Sequence, residues 1–475
     1  MISGDNLFIR RIEVFLSAEK QYGWFDIRFE GWSFWRVTRT WVYDIAVGLS
    51  VSKVKTSKYL LCKQALLATL KLGMLLFTSK RRDFLVKSFR SALRIKDGSV
   101  IRDVYYDELL DQGYSYFKLE VIDSNDFGDH SKKSLRPADL DAYLLYFWAN
   151  LLARIFPVKS AISFCDEVSM VMRENGGIDV RPGPLLRRIS QVHWEAKLYR
   201  WLLKRLQPSV VIVADCAEYA LRLACAREDI VFVEIQHGLF DRDHPDAVPD
   251  WVEGTDDELL LPDALACYGQ YWIDRLSTTR QWVNAFPAGN GLVDRYRKDR
   301  SVEGQQDVFR ILVSSQGLHV EKLCSWLTIM MASAPAKLAV ELTVKLHPVY
   351  DVGYQSYESL QTNYGAKVIS GSAMPNIWEL LSNSDLHLSI SSACHFDAAS
   401  LGVISIVIPL DGHELMIDSV DDQSIFLAYG PSDVWQIMSG DKCLENQTNR
   451  EKYSKASFAD NMEQHFRKEL SIELK

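Results

Sequence analysis

Apolar and polar residues follow a regular rhythm from Pro208 onward that the earlier part of the chain lacks. Short continuous runs of apolar, mostly β-branched residues alternate there with stretches in which apolar residues recur at helical spacing. Such continuous runs are typical of strands buried on both faces of a parallel sheet. Their alternation with helices predicts βαβ units and therefore a doubly wound α/β fold.

The first alternating series ends near residue 295. Its predicted strands are Val210–Ala214, Ile230–Ile235 and Leu265–Tyr268, and its predicted helices are Glu218–Arg227 and Gln270–Leu276. Residues 1–204, upstream, are rich in aromatic side chains and predict helices at Leu60–Phe77 and Leu140–Phe156, both expected to be buried. The pattern predicts no strand in this upstream part and leaves Ser91–Asp111 unassigned.

A second series follows a charged, polar stretch, Arg295–Asp307, whose composition is that of a linker. Its predicted strands are Phe309–Ser314, Glu341–Leu346, Lys367–Ser370, Leu386–Ile390 and Val403–Ile408, and its predicted helices are Val320–Ala332, Tyr354–Tyr364, Asn376–Leu381 and Phe396–Leu401. We therefore predict an acceptor-side α/β domain with aromatic-rich helical additions over residues 1–295, a nucleotide-donor-binding α/β domain over 308–445, and a helical tail over 446–475.

Composition excludes several classes of protein. The chain has 475 residues, 48% of them hydrophobic, which is enough for two domains, and its net charge of -8 argues against a nucleic-acid partner. Charged residues interrupt the apolar positions of the first 15 residues, so no secretory signal is expected. Lys63 and Lys71 interrupt one long apolar stretch, and the other ends at Arg154, so neither predicts a membrane span. We expect a cytoplasmic protein, with peripheral membrane association left open.

Polar residues that directly follow predicted strands are the candidates for chemistry, because open parallel sheets bind ligands at the carboxyl ends of their strands. Gln236, His237 and Gly238 follow the strand Ile230–Ile235, and Asp241 and Asp243 come shortly after. A neutral imidazole can accept a proton from a sugar hydroxyl at neutral pH. His237 is therefore the candidate base, with Asp241 or Asp243 as rival base or orienting group. A histidine that merely satisfies loop carbonyls is the equally weighted alternative.

A second cluster closes the strand Glu341–Leu346. Strand alternation places Lys345 and His347 on the same side, and Pro348 ends the strand. Two donor side chains at one strand end predict a phosphate clamp. A solvated strand terminus is the alternative.

The remaining clusters follow two other predicted strands of the second series. Ser391 and Ser392 precede a predicted helix, where they form either an anion site or an ordinary N-cap. Asp397, on that helix, either accepts bonds from ribose hydroxyls or complements the helix dipole. After the first strand come Ser315, Gln316 and Gly317, a weaker candidate for donor binding in which Gly317 would let the backbone approach a ligand closely. No GxGxxG or GxxxxGK[ST] motif is present, so neither a dehydrogenase nor a P-loop ATPase is predicted.

These motifs resemble those of bacterial GT-B glycosyltransferases of capsule and lipopolysaccharide assembly. The matching segments are EIQHG (Glu234–Gly238), KLHP (Lys345–Pro348), ISS with a later Gly (Ile390–Ser392, Gly402), ALACYGQYW (Ala264–Trp272) and AGNGLVD (Ala288–Asp294). Near the front, Phe29–Arg39 and Lys96–Asp107 are similar to segments of uncharacterised polysaccharide-biosynthesis proteins. The resemblance implies two Rossmann-like domains that face a central cleft.

The paired HP and SS motifs are similar to those of bacterial sialyltransferases and Kdo transferases, in which the histidine and the serines contact the CMP of the donor. The resemblance implies that His347, Ser391 and Ser392 hold the donor phosphate and favours a CMP-activated sugar. The acidic motif that carries the base in those sialyltransferases has no counterpart, because Asp257-Glu258 lacks the following Gly. Teichoic-acid glycerophosphotransferases, which use CDP-glycerol, show a similar HG histidine and a similar HP pair.

We therefore predict an inverting glycosyltransferase that needs neither a metal nor another cofactor. Its partners would be a nucleotide-sugar donor and a glycan or lipid-linked glycan acceptor. Two alternatives stay open: glycerophosphate transfer from a CDP-linked donor, and a non-catalytic nucleotide-sugar-binding protein of polysaccharide assembly.

Overall fold

The computed structural model describes residues 5–48, 81–89, 94–97, 99–121, 134–214, 217–297, 308–347, 350–351, 353–371, 373–421, 423–439, 450–472 and 474. The predicted helix Leu60–Phe77, the predicted site residue Pro348 and most of the predicted linker lie outside these residues.

A seven-stranded parallel sheet forms the core of the first domain. The strands up to residue 287 are β1 Arg28–Phe29, β2 Trp32–Ser33, β3 Phe84–Phe89, β4 Arg94–Asp97, β5 Val100–Asp103, β6 Tyr116–Val121, β7 Leu140–Asp141, β8 Val210–Val213, β9 Val231–Ile235, β10 Ala264–Cys267 and β11 Ala285–Pro287. The sheet order is β11-β10-β9-β8-β3-β6-β7, and β1–β2 and β4–β5 form two small antiparallel ladders outside it. Numbered along the chain, this is the 3-2-1-4-5-6 order of Rossmann folds with one added edge strand.

The apolar pattern identifies no strand in residues 1–204, but β3, β6 and β7 lie there, and β3 pairs with the middle strand of the sheet, β8. The apolar pattern misses β3 and β6 because each contains a lysine. In the structure both lysines are buried and paired, Lys87 with Glu218 and Lys118 with Asp103 at 3.2 Å. A buried ion pair thus hides a central strand from a search for apolar runs.

A six-stranded parallel sheet forms the core of the second domain. Its strands are β12 Val308–Ser314, β13 Ala339–Lys345, β14 Lys367–Ile369, β15 Leu386–Ser389, β16 Ile404–Val407 and β17 Ile425–Leu427, in the order β14-β13-β12-β15-β16-β17. All five predicted strands are confirmed, and the short edge strand β17 was not predicted. Both domains therefore have a Rossmann-like strand order, as predicted.

Helices cover both sheets. They are α1 Asp5–Gln21, α2 Phe34–Ala46, α3 Asp107–Leu110, α4 Tyr143–Ile155, α5 Ile162–Gly176, α6 Pro182–Leu206, α7 Tyr219–Glu228, α8 Gln270–Arg275, α9 Gly291–Tyr296, α10 Val320–Ala332, α11 Glu358–Tyr364, α12 Ile377–Ser382, α13 Cys394–Ser400, α14 Asp433–Ser439, α15 Arg450–Tyr453 and α16 Phe458–Gln464, which continues as a π-helical turn at His465–Glu469. Among the described residues, no helix has the length and apolar character needed to cross a bilayer.

The chain returns to the first domain after completing the second. Phe458, Met462 and Phe466 are buried in the same apolar cluster as Phe84 of β3. Gly289 makes room for this return, because a Cβ atom there would lie 2.3 Å from the carbonyl oxygen of Lys455. The predicted helical tail therefore packs on the first sheet.

Helix α4 departs from the prediction that it is buried. Leu144, Leu145, Ala149 and Ala153 face inward, and the helix packs mainly against α6. Its opposite face is exposed, although that face is also apolar. A helix that is apolar all round normally predicts burial on all sides, and α4 does not follow that rule.

Candidate active site

The carboxyl ends of strands from both sheets border one cavity of about 120 Å³. The first domain contributes His237 and Gly238, which follow β9, Tyr268, which follows β10, Asn290, which follows β11, and Tyr105, which follows β5. The second domain contributes Trp378 of α12 and Ala393, Phe396 and Asp397 at α13. His237 and Asp397, predicted separately, thus line the same space from different domains.

The backbone around His237 is fixed by three side-chain hydrogen bonds. The buried side chain of Gln236 accepts the N–H of Tyr268 at 2.9 Å and donates to the carbonyl of Gly238 at 2.8 Å. The Tyr105 hydroxyl donates to the carbonyl of His237 at 3.0 Å. The position of His237 is therefore set by two neighbouring strand ends rather than by a mobile loop.

The two aspartates predicted beside His237 do not line this cavity. Asp241 forms an ion pair with Arg275 at 3.0 Å and accepts the N–H of Asp243 at 3.1 Å. The side chain of Asp243 is 81% exposed. Asp241 is thus held by a cation of α8, and Asp243 faces solvent.

His244 lies in the same loop and has no place in the predicted site. Its Nδ1 accepts the N–H of Asp246 at 3.2 Å, and its ring meets that of Phe240 edge-on. Burial, and to a lesser extent the nearby His237, lower its pKa to about 4. A neutral His244 therefore packs beneath the loop that presents His237.

Asp397 and Trp378 lie together at the second domain's side of the cavity. Burial raises the pKa of Asp397 to about 7, and the Trp378 indole opposes this shift. The Trp378 Nε1 is buried and has no hydrogen-bond partner among the described residues. A buried donor without an acceptor carries a free-energy cost, which a ligand oxygen could remove.

The residues that follow β12 make hydrogen bonds to the segments that follow β13 and β15. The Ser315 hydroxyl is buried against Asp351 and Tyr357, and Gln316 hydrogen-bonds to the backbone of Ser391. At Gly317, with φ at 73°, a Cβ atom would lie 2.4 Å from the carbonyl oxygen of Tyr350. Gly317 therefore allows close approach of the chain itself, where the sequence predicted close approach of a ligand.

Lys345 and His347, which the sequence groups in one cluster, have different surroundings in the structure. The ammonium of Lys345 donates to three carbonyls, those of Ser370, Ala373 and Pro375, at 2.6–2.9 Å. Burial lowers its pKa to about 8. This use of all three N–H groups ties Lys345 to the 370–375 turn and argues against its predicted contact with a donor phosphate.

His347 and the serine pair stay close to the surface of the second domain. His347 accepts the N–H of Tyr350 at Nδ1 and stacks on that ring at 4.5 Å. The neutral tautomer therefore carries its proton on Nε2. Ser391 and Ser392 are partly exposed, and the Ser392 hydroxyl accepts the N–H of Cys394 at 3.2 Å.

A larger cavity of about 600 Å³ opens beyond Asp243, between α1, α2 and the loop that follows β9. Its floor is the buried pair Glu19–Arg39, in which Arg39 donates to Glu19 at 2.7 and 2.9 Å. Tyr43 and the exposed Trp251 form its aromatic walls. Sequence reasoning missed this cavity because no motif in α1 or α2, including the matching segment Phe29–Arg39, indicates a chemical role.

The other missed residues differ in how they could have been found. Tyr268 is the last residue of the predicted strand Leu265–Tyr268, but the observed strand ends at Cys267, so the strand-end rule misses Tyr268 by one residue. Asn290 follows β11, a short strand that was not predicted. Tyr105 and Trp378 reach the cavity only through the tertiary arrangement, and no sequence signal marks them.

Solved structures of similar fold exist, although no protein-family profile and no curated protein sequence matches this chain. They include a protein assigned as a UDP-N-acetylglucosamine 2-epimerase from Listeria monocytogenes (10% identity, 82% of this chain and 97% of that chain, TM-score 0.50). The UDP-GlcNAc 2-epimerase of Neisseria meningitidis, solved with UDP-GlcNAc, is 13% identical (80% and 98%, TM-score 0.48). MurG of Acinetobacter baumannii is 14% identical (80% and 97%, TM-score 0.42).

At these identities the likeness concerns the fold alone. It confirms the prediction of a GT-B-like pair of Rossmann domains. None of these three proteins is a CMP-sugar transferase, so the finer resemblance to that group has no counterpart among them.

Proposed function

We propose that this chain is a glycosyltransferase that moves a sugar from a nucleotide donor to a glycan or lipid-linked glycan, with inversion and without a metal. The observation that carries the proposal is the shared cavity. It brings the candidate base His237 from one domain opposite Asp397 and the unpartnered Trp378 Nε1 from the other. A site assembled from two domains suits a reaction that joins two substrates.

In the proposed reaction His237 accepts the proton of the acceptor hydroxyl as that oxygen attacks the anomeric carbon. The bond from this carbon to the donor phosphate breaks, and the electron pair leaves with the phosphate. Ser391, Ser392 and the Nε2–H of His347 would stabilise the charge on the leaving group. Asp397 and Trp378 would hold hydroxyls of the donor as acceptor and donor of hydrogen bonds.

We further propose that the acceptor occupies the 600 Å³ cavity. Aromatic walls at Tyr43 and Trp251 suit the apolar faces of sugar rings. The lining charges of Lys20 and Arg242 are balanced by those of Asp243 and Asp250, which favours a neutral sugar. The loop that ends in this cavity begins at His237, so an acceptor chain lying along it would reach the base.

The identity of the donor's nucleotide can be measured directly. The sequence motifs favour CMP, whereas the Listeria protein of similar fold is named for a UDP-sugar. A thermal-shift series with CMP, CDP, UDP and GDP separates them, because a ligand that binds only the native state raises Tm, and raises it more the tighter it binds. If none of the four nucleotides raised Tm, that result would contradict the proposal.

Product analysis then tests the reaction. Incubation with the matching nucleotide-sugar should release free nucleotide, slowly by hydrolysis and faster with an acceptor glycan. Two alternatives give other products. Transfer from CDP-glycerol would release CMP and add glycerophosphate, rather than a sugar, to the acceptor, and a non-catalytic binding protein would leave every donor intact.

A further inference from the structure

An exposed apolar face lies on α4 and the turn that follows it. Its members are large apolar side chains that are each between 38% and 58% exposed: Phe147, Trp148, Leu151, Ile155, Phe156 and Ile162. The spacing of the first four places them on one side of the helix, away from the buried Leu145, Ala149 and Ala153. A contiguous apolar patch of this kind is unusual on a monomer and marks an interaction surface.

Basic side chains surround this face although the chain as a whole is acidic. Arg154 and Lys159 are exposed at its end, and Lys197 lies over the ring of Trp194 at 4.3 Å. Trp194 in turn donates its indole N–H to the carbonyl of Phe156 at 3.0 Å. The exposed acid nearest along the chain, Asp166, lies one turn beyond Ile162 on α5. The local charge is therefore positive where the net charge is -8.

We propose that this apolar face docks the protein on an anionic lipid bilayer. A helix with an apolar outer face and flanking lysines or arginines lies in the plane of the membrane interface, with its apolar side chains among the acyl chains. Tryptophan, represented here by Trp148 and Trp194, favours the headgroup level. Lys159 and Lys197 would contact anionic headgroups.

The charge pattern decides between a bilayer and a second copy of the chain. Two copies that pair through this face would bring Arg154, Lys159 and Lys197 of each near those of the other, and like charges oppose association. An anionic bilayer offers the complementary charge and an apolar interior at the same time. The face therefore fits lipid better than it fits itself.

Co-sedimentation of the full chain with vesicles tests the proposal. The wild type should bind vesicles of phosphatidylethanolamine and phosphatidylglycerol more tightly than vesicles of phosphatidylcholine. The double variant Trp148→Ser/Ile155→Ser should lower the partition coefficient at least about tenfold, because it removes two large apolar side chains from the bilayer. The matched control, Trp282→Ser/Val283→Ser, alters an exposed tryptophan and an exposed aliphatic residue elsewhere on the first domain and should bind like the wild type.

The basic residues are tested separately. Lys159→Glu/Lys197→Glu should weaken binding to the anionic vesicles about fivefold or more for each charge and should have little effect on the neutral ones. Circular dichroism and thermal unfolding show that each variant is folded, as expected for residues that are exposed.

Three results would overturn the proposal: no binding of the wild type to anionic vesicles, equal loss in the control variant, or full binding by the Trp148/Ile155 variant. A dimer that this variant dissociates, without any vesicle binding, would assign the face to self-association instead. The measurement uses neither donor nor acceptor, so its failure is distinct from failure of the proposed transferase activity.

Discussion

The side chain of Gln316 makes two hydrogen bonds to the backbone of Ser391. Its amide N–H donates to the carbonyl of Ser391, and its amide oxygen accepts the N–H of the same residue at 3.1 Å. The two residues follow β12 and β15, which are neighbours in the second sheet. One side chain therefore extends the pairing of two strands beyond their ends, at the position where the proposed phosphate contact lies.

Replacing Gln316 with Ala should weaken nucleotide binding although Gln316 itself is not proposed to touch the nucleotide. Loss of the two hydrogen bonds frees the Ser391 backbone and should destabilise the fold by about 1–3 kcal/mol. Calorimetric titration should show an affinity at least about fivefold lower. Gln270→Ala, which removes an exposed Gln–Asp274 contact, is the control. Unchanged affinity would show that the Ser391 loop does not contact the donor.

Replacing His237 with Ala should reduce turnover by about a hundredfold or more, because general base catalysis contributes that much. Nucleotide affinity should stay close to that of the wild type. His413→Ala, a partly exposed histidine of the second domain, should leave turnover unchanged. Unaltered turnover in the His237 variant would move the base to Asp241 or Asp243. A collapse in nucleotide binding at unaltered stability would make His237 a phosphate contact.

The pH dependence of stability should report on Asp397. Its pKa rises from 3.8 to about 7 on burial in the folded protein, so the folded state retains a proton that the unfolded state releases. The stability of the wild type relative to Asp397→Asn should therefore fall as pH rises from about 4 to about 7, and then level off. Unfolding curves of both proteins over this range measure the difference. A constant difference would show that the carboxyl titrates normally.

Lys345 and His347 should behave differently, although the sequence groups them. Lys345→Met removes three buried hydrogen bonds and should lower the free energy of unfolding by several kcal/mol, at about 1 kcal/mol or more for each bond. His347→Ala should leave Tm nearly unchanged and weaken nucleotide binding roughly tenfold. Chemical denaturation and calorimetry on both variants separate the two effects. Normal nucleotide affinity in the His347 variant would remove it from the phosphate site.

Replacing Trp251 should weaken binding of the acceptor and leave hydrolysis of the donor unchanged. Trp251→Ala removes an aromatic wall of the larger cavity and should raise KM for the acceptor about fivefold or more, since stacking on an aromatic ring contributes about 1 kcal/mol. Trp282→Ala, which alters another exposed tryptophan elsewhere on the first domain, is the control. Donor hydrolysis in the absence of acceptor should be unchanged by either variant. A reduced rate of donor hydrolysis in the Trp251 variant would place the cavity on the donor side.

The sequence predicts the second domain far better than the first, and the reason is where charge is buried. The strands of the second domain carry charged residues mostly near their ends, as at Lys345 of β13 and Lys367 of β14, and all five predicted strands are present. In the first domain β3 and β6 carry Lys87 and Lys118 in their interiors, where partners distant in sequence stabilise them. Local pattern cannot reveal such partners, so these two strands, on one side of the middle strand β8, were missed.

The candidate site shows the same division between local and tertiary information. The strand-end rule locates His237 and Asp397, since each follows a recognisable strand. It also selects Lys345, whose actual partners are three carbonyls of a turn that follows β14. It omits Trp378, whose side chain reaches the cavity from the middle of the second domain's sequence. The end of a predicted strand locates the backbone of a candidate residue. Only the folded structure shows what its side chain contacts.

The return of α16 to the first sheet has a consequence for how the protein is made. A ribosome releases the whole of the second domain before it releases Phe458, Met462 and Phe466, which cover Phe84. Domains generally fold as units in the order of their synthesis, but here the earlier domain lacks part of its apolar cover until the later one has emerged. The nascent first domain therefore exposes one side of its central strands throughout synthesis of the second, the interval in which a chaperone would protect it.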